Sequence, residues 1–199
     1  MKRIILIATA VMSLACTKQA LKTTYDKQAT YIENFISTQM KADEKATLVK
    51  NGGAWRLTLQ DLKDPGDSLR YGGRVTLDYA CYTLTSASIS ASNLVETNRK
   101  EVAEAAKWTL TDDSIFQPKT LTLDNSLVEG LRLGLHGVQP GDQGYILFTG
   151  EFGYGNKENG TIPATSALVY QFWIESINNE YSSENTCSAG SCGRSGRLC

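Results

Sequence analysis

The stretch that decides the fold is "LVEGLRLGLHGVQPGDQGYILFTGEFGYGNKENGTIPATSALVYQFWIESI", from Leu127 to Ile177. Its first part spaces leucines as one face of a helix and ends at glycine and Pro140. Two apolar-aromatic segments, "YILFTG" and "ALVYQFWIESI", then predict strands. The glycine-rich loop between them joins strand to strand. Phosphate-binding glycine loops lead from a strand into a helix, so these glycines do not indicate a nucleotide site.

Upstream of this stretch, apolar residues alternate with polar ones, which is typical of half-buried strands. The segments are "WRLTLQDL", "RVTLDYACYTL" and "KTLTLD", and the second places Val75, Leu77, Tyr79 and Cys81 on one face. A further helical segment, "NRKEVAEAAKW", lies between the last two. Strands outnumber helices without strict alternation, which predicts an antiparallel sheet with a helix on one face, class α+β.

The region before the strands predicts an amphipathic helix that Asn51-Gly52-Gly53 ends. Its apolar stripe consists of Tyr31, Ile32, Phe35, Ile36 and Met40. Such a helix either packs on its own domain or serves as an arm that dimerises or collects substrate.

The first residues have the pattern of a secretory signal peptide. Lys2 and Arg3 precede an apolar run from residue 4 to 15, which is shorter than the roughly 20 residues of a stable span. The run ends at Cys16 and resembles a bacterial lipobox, although Ser13 stands where leucine is usual. We expect lipidation of Cys16; the alternative is an ordinary cleaved signal.

Export implies an oxidising compartment, where cysteines can pair. Cys187, Cys192 and Cys199 lie in "NTCSAGSCGRSGRLC", whose very low content of apolar residues predicts a disordered tail. Cys81 lies in a predicted strand, and we expect it to be a small buried apolar residue.

Charge and histidine content exclude several function classes. The formal net charge is −1, so nothing favours nucleic-acid binding. The chain has one histidine, His136, which argues against a histidine-based metal centre or a Ser-His-Asp triad. We expect no cofactor and no metal.

The stretch from 127 to 177 closely resembles the FKBP-type peptidyl-prolyl isomerases, and "GGRVTLDY" resembles their first core strand. The matching positions are Tyr79, Leu127, Val128, Gly130, Gly134, Gly141, Tyr154, Gly155, Ile162, Pro163, Ala167, Leu168, Val169 and Tyr170. With a lipidated cysteine, the chain looks like a bacterial lipoprotein form of the family. The predicted organisation is a signal peptide (1–15), a tether with an amphipathic helix (16–50), an FKBP-type domain (51–178, with an insertion at about 97–119) and a disordered tail (179–199).

The resemblance implies an FKBP-like twisted antiparallel half-barrel, wrapped around a short central helix and preceded by an N-terminal helix. It implies isomerase activity without a nucleophile, because an apolar pocket favours the twisted amide over the more polar planar one. The catalytic residues it implies are Tyr79, Glu96, Val128 and Tyr154, with the Val128 amide binding a substrate carbonyl. The substrate-binding residues it implies are Val95, Leu121, Leu127, Leu131, Ile162 and Tyr170.

The sequence departs from the family at the pocket. Phe-Asp, usual after the second strand, is replaced either by Val95-Glu96 or by Ile89-Ser90, depending on the register, and the first is preferred. Leu131 replaces a tryptophan and Tyr170 a phenylalanine. The alternative to an isomerase is therefore an FKBP-like peptide-binding or chaperone lipoprotein with weak catalysis.

The resemblance also implies partners and a location. The partners are proline-containing exported polypeptides and the membrane through lipidated Cys16. If the N-terminal amphipathic helix is a dimerising arm, a second copy of the chain is a further partner. The location is the cell envelope, with Thr17 after the cysteine indicating the outer membrane, facing the periplasm of a Gram-negative bacterium.

Overall fold

A computed structural model of the chain describes residues 2–59, 66–110 and 112–180, with side chains from Lys18 onward. The Cys16 side chain, the predicted signal peptide's side chains and the three tail cysteines lie outside the described residues. The helices are α1 (Lys2–Ala42), α2 (Lys100–Ala105) and α3 (Glu129–Leu135). The strands are β1 (Thr47–Asn51), β2 (Ala54–Thr58), β3 (Arg74–Thr83), β4 (Leu94–Thr97), β5 (Lys119–Thr122), β6 (Gln143–Phe148) and β7 (Leu168–Asn178).

The seven strands form one open antiparallel sheet, which confirms the predicted fold class. Six of them lie in the order β1-β2-β6-β7-β3-β4, and β5 pairs with β3 off this path. One edge of β3 pairs with β7 along its whole length. Its other edge pairs with β5 near Arg74–Leu77 and with β4 near Ala80–Tyr82. The insertion leaves the sheet at β4 and returns at β5, so it projects from the edge of β3.

The main core lies between one face of the sheet and α3. Val75, Leu77, Tyr79 and Cys81 all face it, as their spacing predicts. Helix α3 lies close against β6 because two glycines face the strand. A Cβ at Gly130 would come within 2.1 Å of Phe148 Cγ, so a larger residue does not fit at this contact.

Helix α1 packs on the opposite face of the sheet, so it belongs to the same folded domain as the sheet. Ile32, Phe35 and Ile36 are buried there, and the Phe35 ring meets the Tyr145 ring edge-on at 5.1 Å. Among the residues whose side chains are described, no helix is long and apolar enough to cross a membrane.

The prediction that the helix runs to Asn51-Gly52-Gly53 is wrong. Helix α1 ends at Ala42, and Thr47–Asn51 forms β1, paired with β2. Gly52 and Gly53 have φ of 54° and 110° and form the turn of this hairpin. Gly-Gly is a strong signal for a two-residue hairpin turn, because both central residues of such a turn need positive φ.

Candidate active site

A cavity of about 190 Å³ lies between β3, β4, the start of α3 and the loop after β6. We call it the central pocket. Its lining residues are Leu77, Tyr79, Glu96, Lys119, Leu121, Ser126, Leu127, Val128, Leu131, Tyr154 and Tyr170.

The central pocket brings together every predicted site residue of the domain except two. Val95 is half-buried and lines a neighbouring cavity, and Ile162 is buried in the main core. Sequence reasoning missed Leu77, Lys119 and Ser126. Leu77 shares the alternating face of Tyr79 and could have been found from that pattern; no pattern pointed to the other two.

Glu96, and not Ser90, reaches the pocket. Glu96 lies opposite Cys81 in the β3–β4 pairing, and its Oε1 accepts a hydrogen bond from the Tyr79 hydroxyl. Its carboxylate also lies 3.8 Å from Lys119 Nζ. Ser90 precedes an exposed 3-10 turn, where its hydroxyl contacts that of Ser92 at 2.9 Å. Strand β4 therefore places an acidic group at the rim of the central pocket.

The walls of the pocket are aromatic and aliphatic. The Tyr170 ring stacks near-parallel on Phe148, with centroids 6.0 Å apart, and lies 6.1 Å from the ring of Tyr79. Leu131, on α3, is buried beneath them. The base of the pocket therefore has a low local dielectric, where electrostatic effects are stronger than in water.

Burial keeps the pocket's phenols protonated. Desolvation raises the pKa of Tyr79, and the hydrogen bond to Glu96 raises it further. Burial also raises the pKa of Tyr154 and, more strongly, that of Tyr170. Each is therefore a neutral hydroxyl across the physiological range. The adjacent Cys81 thiol is fully buried, which raises its pKa to about 12 and makes it a poor nucleophile.

Tyr154 is carried by a loop from residue 150 to 165, which we call the Tyr154 loop. At its base the Gly155 N–H donates to the Gly150 carbonyl at 2.8 Å, and the Thr165 N–H donates to the Gly155 carbonyl at 2.6 Å. At its tip Asn159 and Ile162 exchange two backbone hydrogen bonds of 3.0 and 2.9 Å. Residues 156–161, at this tip, are exposed.

Gln28 fastens this loop to α1, a contact that the sequence analysis missed. Its Oε1 accepts a hydrogen bond from the Gly150 N–H at 2.9 Å, and its Nε2 donates to the Thr165 carbonyl at 2.5 Å. Gln28 is buried, and the two backbone groups are 15 residues apart in sequence, at opposite ends of the loop. The N-terminal helix therefore holds the base of the loop that carries Tyr154.

Within the part of the chain that the structure describes, no group of three His, Cys, Asp or Glu side chains could hold a metal ion. The polar groups that line the central pocket are hydroxyls, the Glu96 carboxylate and the Lys119 ammonium. This arrangement can accept an apolar group with a hydrogen-bonding backbone.

Residues 67–174, more than half of the chain, match the model of the family described as "FKBP-type peptidyl-prolyl cis-trans isomerase". The chain belongs to this family. The matched range contains every residue that lines the central pocket. The chain therefore carries an FKBP-type peptidyl-prolyl isomerase domain, and α1 lies outside the matched range.

Solved FKBP-type structures share the fold at low sequence identity. FkpA from Escherichia coli is 14% identical with a TM-score of 0.51, and the alignment covers 87% of this chain and 70% of FkpA. A peptidyl-prolyl cis-trans isomerase from Pseudomonas syringae pv. tomato is 16% identical with a TM-score of 0.50, covering 79% of this chain and 95% of that one. The structure of the three FKBP domains of wheat FKBP73 is 15% identical with a TM-score of 0.51 and covers 66% of this chain. This chain spans half of the wheat chain's length, 50%. A comparison with curated protein sequences gave no match.

Proposed function

We propose that the chain catalyses cis–trans isomerisation of prolyl peptide bonds in the central pocket. The observation that carries this proposal is an apolar pocket with neutral tyrosine hydroxyls, inside the family-matched domain. Rotation about the prolyl amide has a barrier of about 18–20 kcal/mol because resonance is lost. The twisted amide is less polar than the planar one, so a dry pocket binds the transition state more tightly than the ground state.

Different residues supply the apolar surface and the hydrogen bonds that this reaction needs. Tyr170, Leu131 and Leu121 supply the apolar surface for the proline ring. The Tyr154 hydroxyl donates a hydrogen bond to a substrate carbonyl, since its raised pKa keeps it protonated. Val128 is the N-cap of α3, where backbone N–H groups have no intrahelical acceptor, so its N–H serves a second carbonyl.

Tyr79 and Glu96 act as a pair. The hydrogen bond to Glu96 fixes the orientation of the phenol that forms one wall, and Lys119 balances the charge of the carboxylate. Glu96 is half-exposed, so we assign it to the rim, where it meets the substrate backbone, rather than to the apolar base.

A second function, peptide binding with weak catalysis, is favoured by a specific observation. Leu131 occupies the buried floor where the family usually has tryptophan, and Val95, at the position usual for phenylalanine, does not line the central pocket. Less aromatic surface surrounds the substrate as a result. A pocket of this kind retains binding and loses part of its discrimination between ground and transition states.

A protease-coupled assay on a proline peptide separates the two functions. We expect acceleration at micromolar protein, and a lower kcat in Tyr154→Phe with little change in KM, since the lost hydrogen bond strengthens in the transition state. Peptide binding without acceleration, in protein whose fold is intact, would support the binding function. Full activity in both Tyr154→Phe and Glu96→Ala would refute the assignment of these residues.

We also propose that the protein works in the cell envelope, anchored by diacylated Cys16 in the outer membrane and facing the periplasm. The signal-like N-terminus and the lipobox-like sequence before Cys16 support this proposal. Two or more acyl chains exceed the marginal, reversible binding of one. Its clients would be exported polypeptides that contain proline. A mass spectrum of the mature protein without diacylglycerol on Cys16 would refute the anchor.

A homodimer through α1 is a further proposal. Met40, 39% exposed, lines a groove of about 440 Å³ between α1 and the first hairpin. Sedimentation of the wild type and of Met40→Lys tests it. We expect a dimer that the charged residue weakens, and a monomer at all concentrations would refute it.

A further inference from the structure

A second cavity, of about 450 Å³, adjoins the central pocket. It lies between β4 and the insertion, and we call it the insertion pocket. Tyr79, Glu96 and Lys119 line both cavities, so the two are neighbours across a shared rim. The insertion pocket is more than twice as large as the central pocket.

The insertion is tied to the sheet by a buried side chain, so its pocket is a built feature. Asn98 accepts a hydrogen bond from the Tyr79 N–H at 2.7 Å. Its amide nitrogen donates to the Leu77 carbonyl at 3.2 Å and to the Gln117 carbonyl at 2.9 Å. One buried residue therefore connects the start of the insertion, its end and the strand that carries Tyr79.

The walls of the insertion pocket are largely apolar. Val95 and Trp108 are half-buried, and Pro118 lies beside them. Ile115 is 55% exposed, one of the few large apolar side chains of the described residues that remain in solvent. Apolar surface gains free energy when a ligand removes it from water.

A polypeptide with its proline in the central pocket must leave across the shared rim or on the opposite side. Each residue advances the chain by at most about 3.3–3.6 Å, so a side chain one or two residues from the proline reaches an adjoining cavity. The size and lining of the insertion pocket suit leucine or phenylalanine better than alanine or a charged residue.

We propose that the insertion pocket is a specificity subsite that binds a large apolar side chain within two residues of the isomerised proline, an inference that rests on the proposed function. Trp108 and Ile115 supply the contact surface. The rim formed by Tyr79, Glu96 and Lys119 holds the intervening backbone. The insertion thereby selects prolines that have an apolar neighbour.

A set of alanine-based peptides with one proline tests the subsite. Leucine or phenylalanine is placed singly at the two positions before and the two positions after the proline. Affinity is measured by fluorescence anisotropy of labelled peptide, and kcat/KM by NMR exchange. At one position, we expect the apolar residue to improve affinity and kcat/KM by about tenfold over alanine, the effect of burying most of one such side chain.

Two variants and one control assign the preference to the insertion. In Ile115→Ser the leucine-to-alanine ratio falls to about twofold, and the substitution is tolerated because the side chain is exposed. In Trp108→Ala it falls similarly, although Trp108 also packs near Tyr82 and Leu94. Glu104, exposed on α2 and outside the pocket, provides the matched control, because Glu104→Ala keeps the tenfold ratio.

The outcomes separate this inference from the proposed function. Isomerisation of the all-alanine peptide, with no preference at any of the four positions, overturns the subsite and leaves the function. Apolar-dependent binding that Ile115→Ser removes, without any isomerisation, supports the subsite and overturns the function. An unchanged ratio in folded Ile115→Ser overturns the subsite.

Discussion

Replacing Gln28 by alanine breaks the connection between α1 and the Tyr154 loop. The substitution removes the side-chain oxygen that accepts from the Gly150 N–H and the nitrogen that donates to the Thr165 carbonyl. Alanine is a good helix former, so the substitution slightly stabilises α1 itself. The loss therefore reports on the two hydrogen bonds.

The two lost hydrogen bonds have unequal costs. Gly150 is buried, so its N–H bears the full cost of an unsatisfied buried donor, about 1–3 kcal/mol. The Thr165 carbonyl belongs to a half-buried residue that water can reach, so its cost lies near the low end of the same range. Together they predict a fall of about 2–4 kcal/mol in the free energy of unfolding.

Urea unfolding measures the stability change, and isomerase kinetics measure the consequence for the loop. We expect kcat/KM to fall about tenfold, because a misplaced catalytic group loses its alignment. The effect should shrink in a Tyr154→Phe background, since contacting groups are not additive. Gln19→Ala is the matched control, because Gln19 lies exposed on the same helix. A Gln28→Ala protein as stable and as active as Gln19→Ala would refute the reasoning.

Three further predictions concern the core. Gly130→Ala should lower the free energy of unfolding by about 1–3 kcal/mol in urea titrations, because its Cβ would meet the Phe148 ring, whereas exposed Glu129→Ala should not. Cys81 should resist iodoacetamide at pH 8 in the folded protein and react in urea, as followed by peptide-resolved mass spectrometry; labelling without urea would contradict its burial. Burial raises the pKa of the Cys81 thiol to about 12 in the folded protein, so the unfolded state loses this proton at lower pH. The free energy of unfolding should therefore fall as pH rises from about 9 towards 12. The fall should be less steep in Cys81→Ala.

Much of the fold could be predicted from local patterns. Alternation along β3 predicted which residues face the core. The Gly52-Gly53 turn was also visible in the sequence, but it was interpreted as the end of a helix and not as a hairpin turn. The first hairpin was missed because "KATLVK" follows a strong helical pattern and becomes a strand only by pairing with β2. Tertiary pairing overrode local preference at that point.

Part of the site could likewise be predicted from the sequence, and part could not. Tyr79, Val128, Tyr154 and Tyr170 occupy positions that the family resemblance indicated, and the strand register decided between Glu96 and Ser90. The contact of Gln28 with Gly150 spans 122 residues of sequence, and no local pattern signals it. The insertion pocket depends on how the insertion folds back against β4, and the periodicity of apolar residues in the sequence does not indicate this.

The most direct test of the central claim is NMR exchange spectroscopy on an alanine-based proline peptide at equilibrium, with no coupled protease. The proposed function predicts that wild-type protein raises the cis–trans exchange rate in proportion to its concentration. It also predicts that Tyr154→Phe, which removes the hydroxyl that donates to the substrate carbonyl, lowers the acceleration while circular dichroism shows a retained fold. An exchange rate equal to that of the free peptide, with folded wild-type protein bound to it, would contradict the claim.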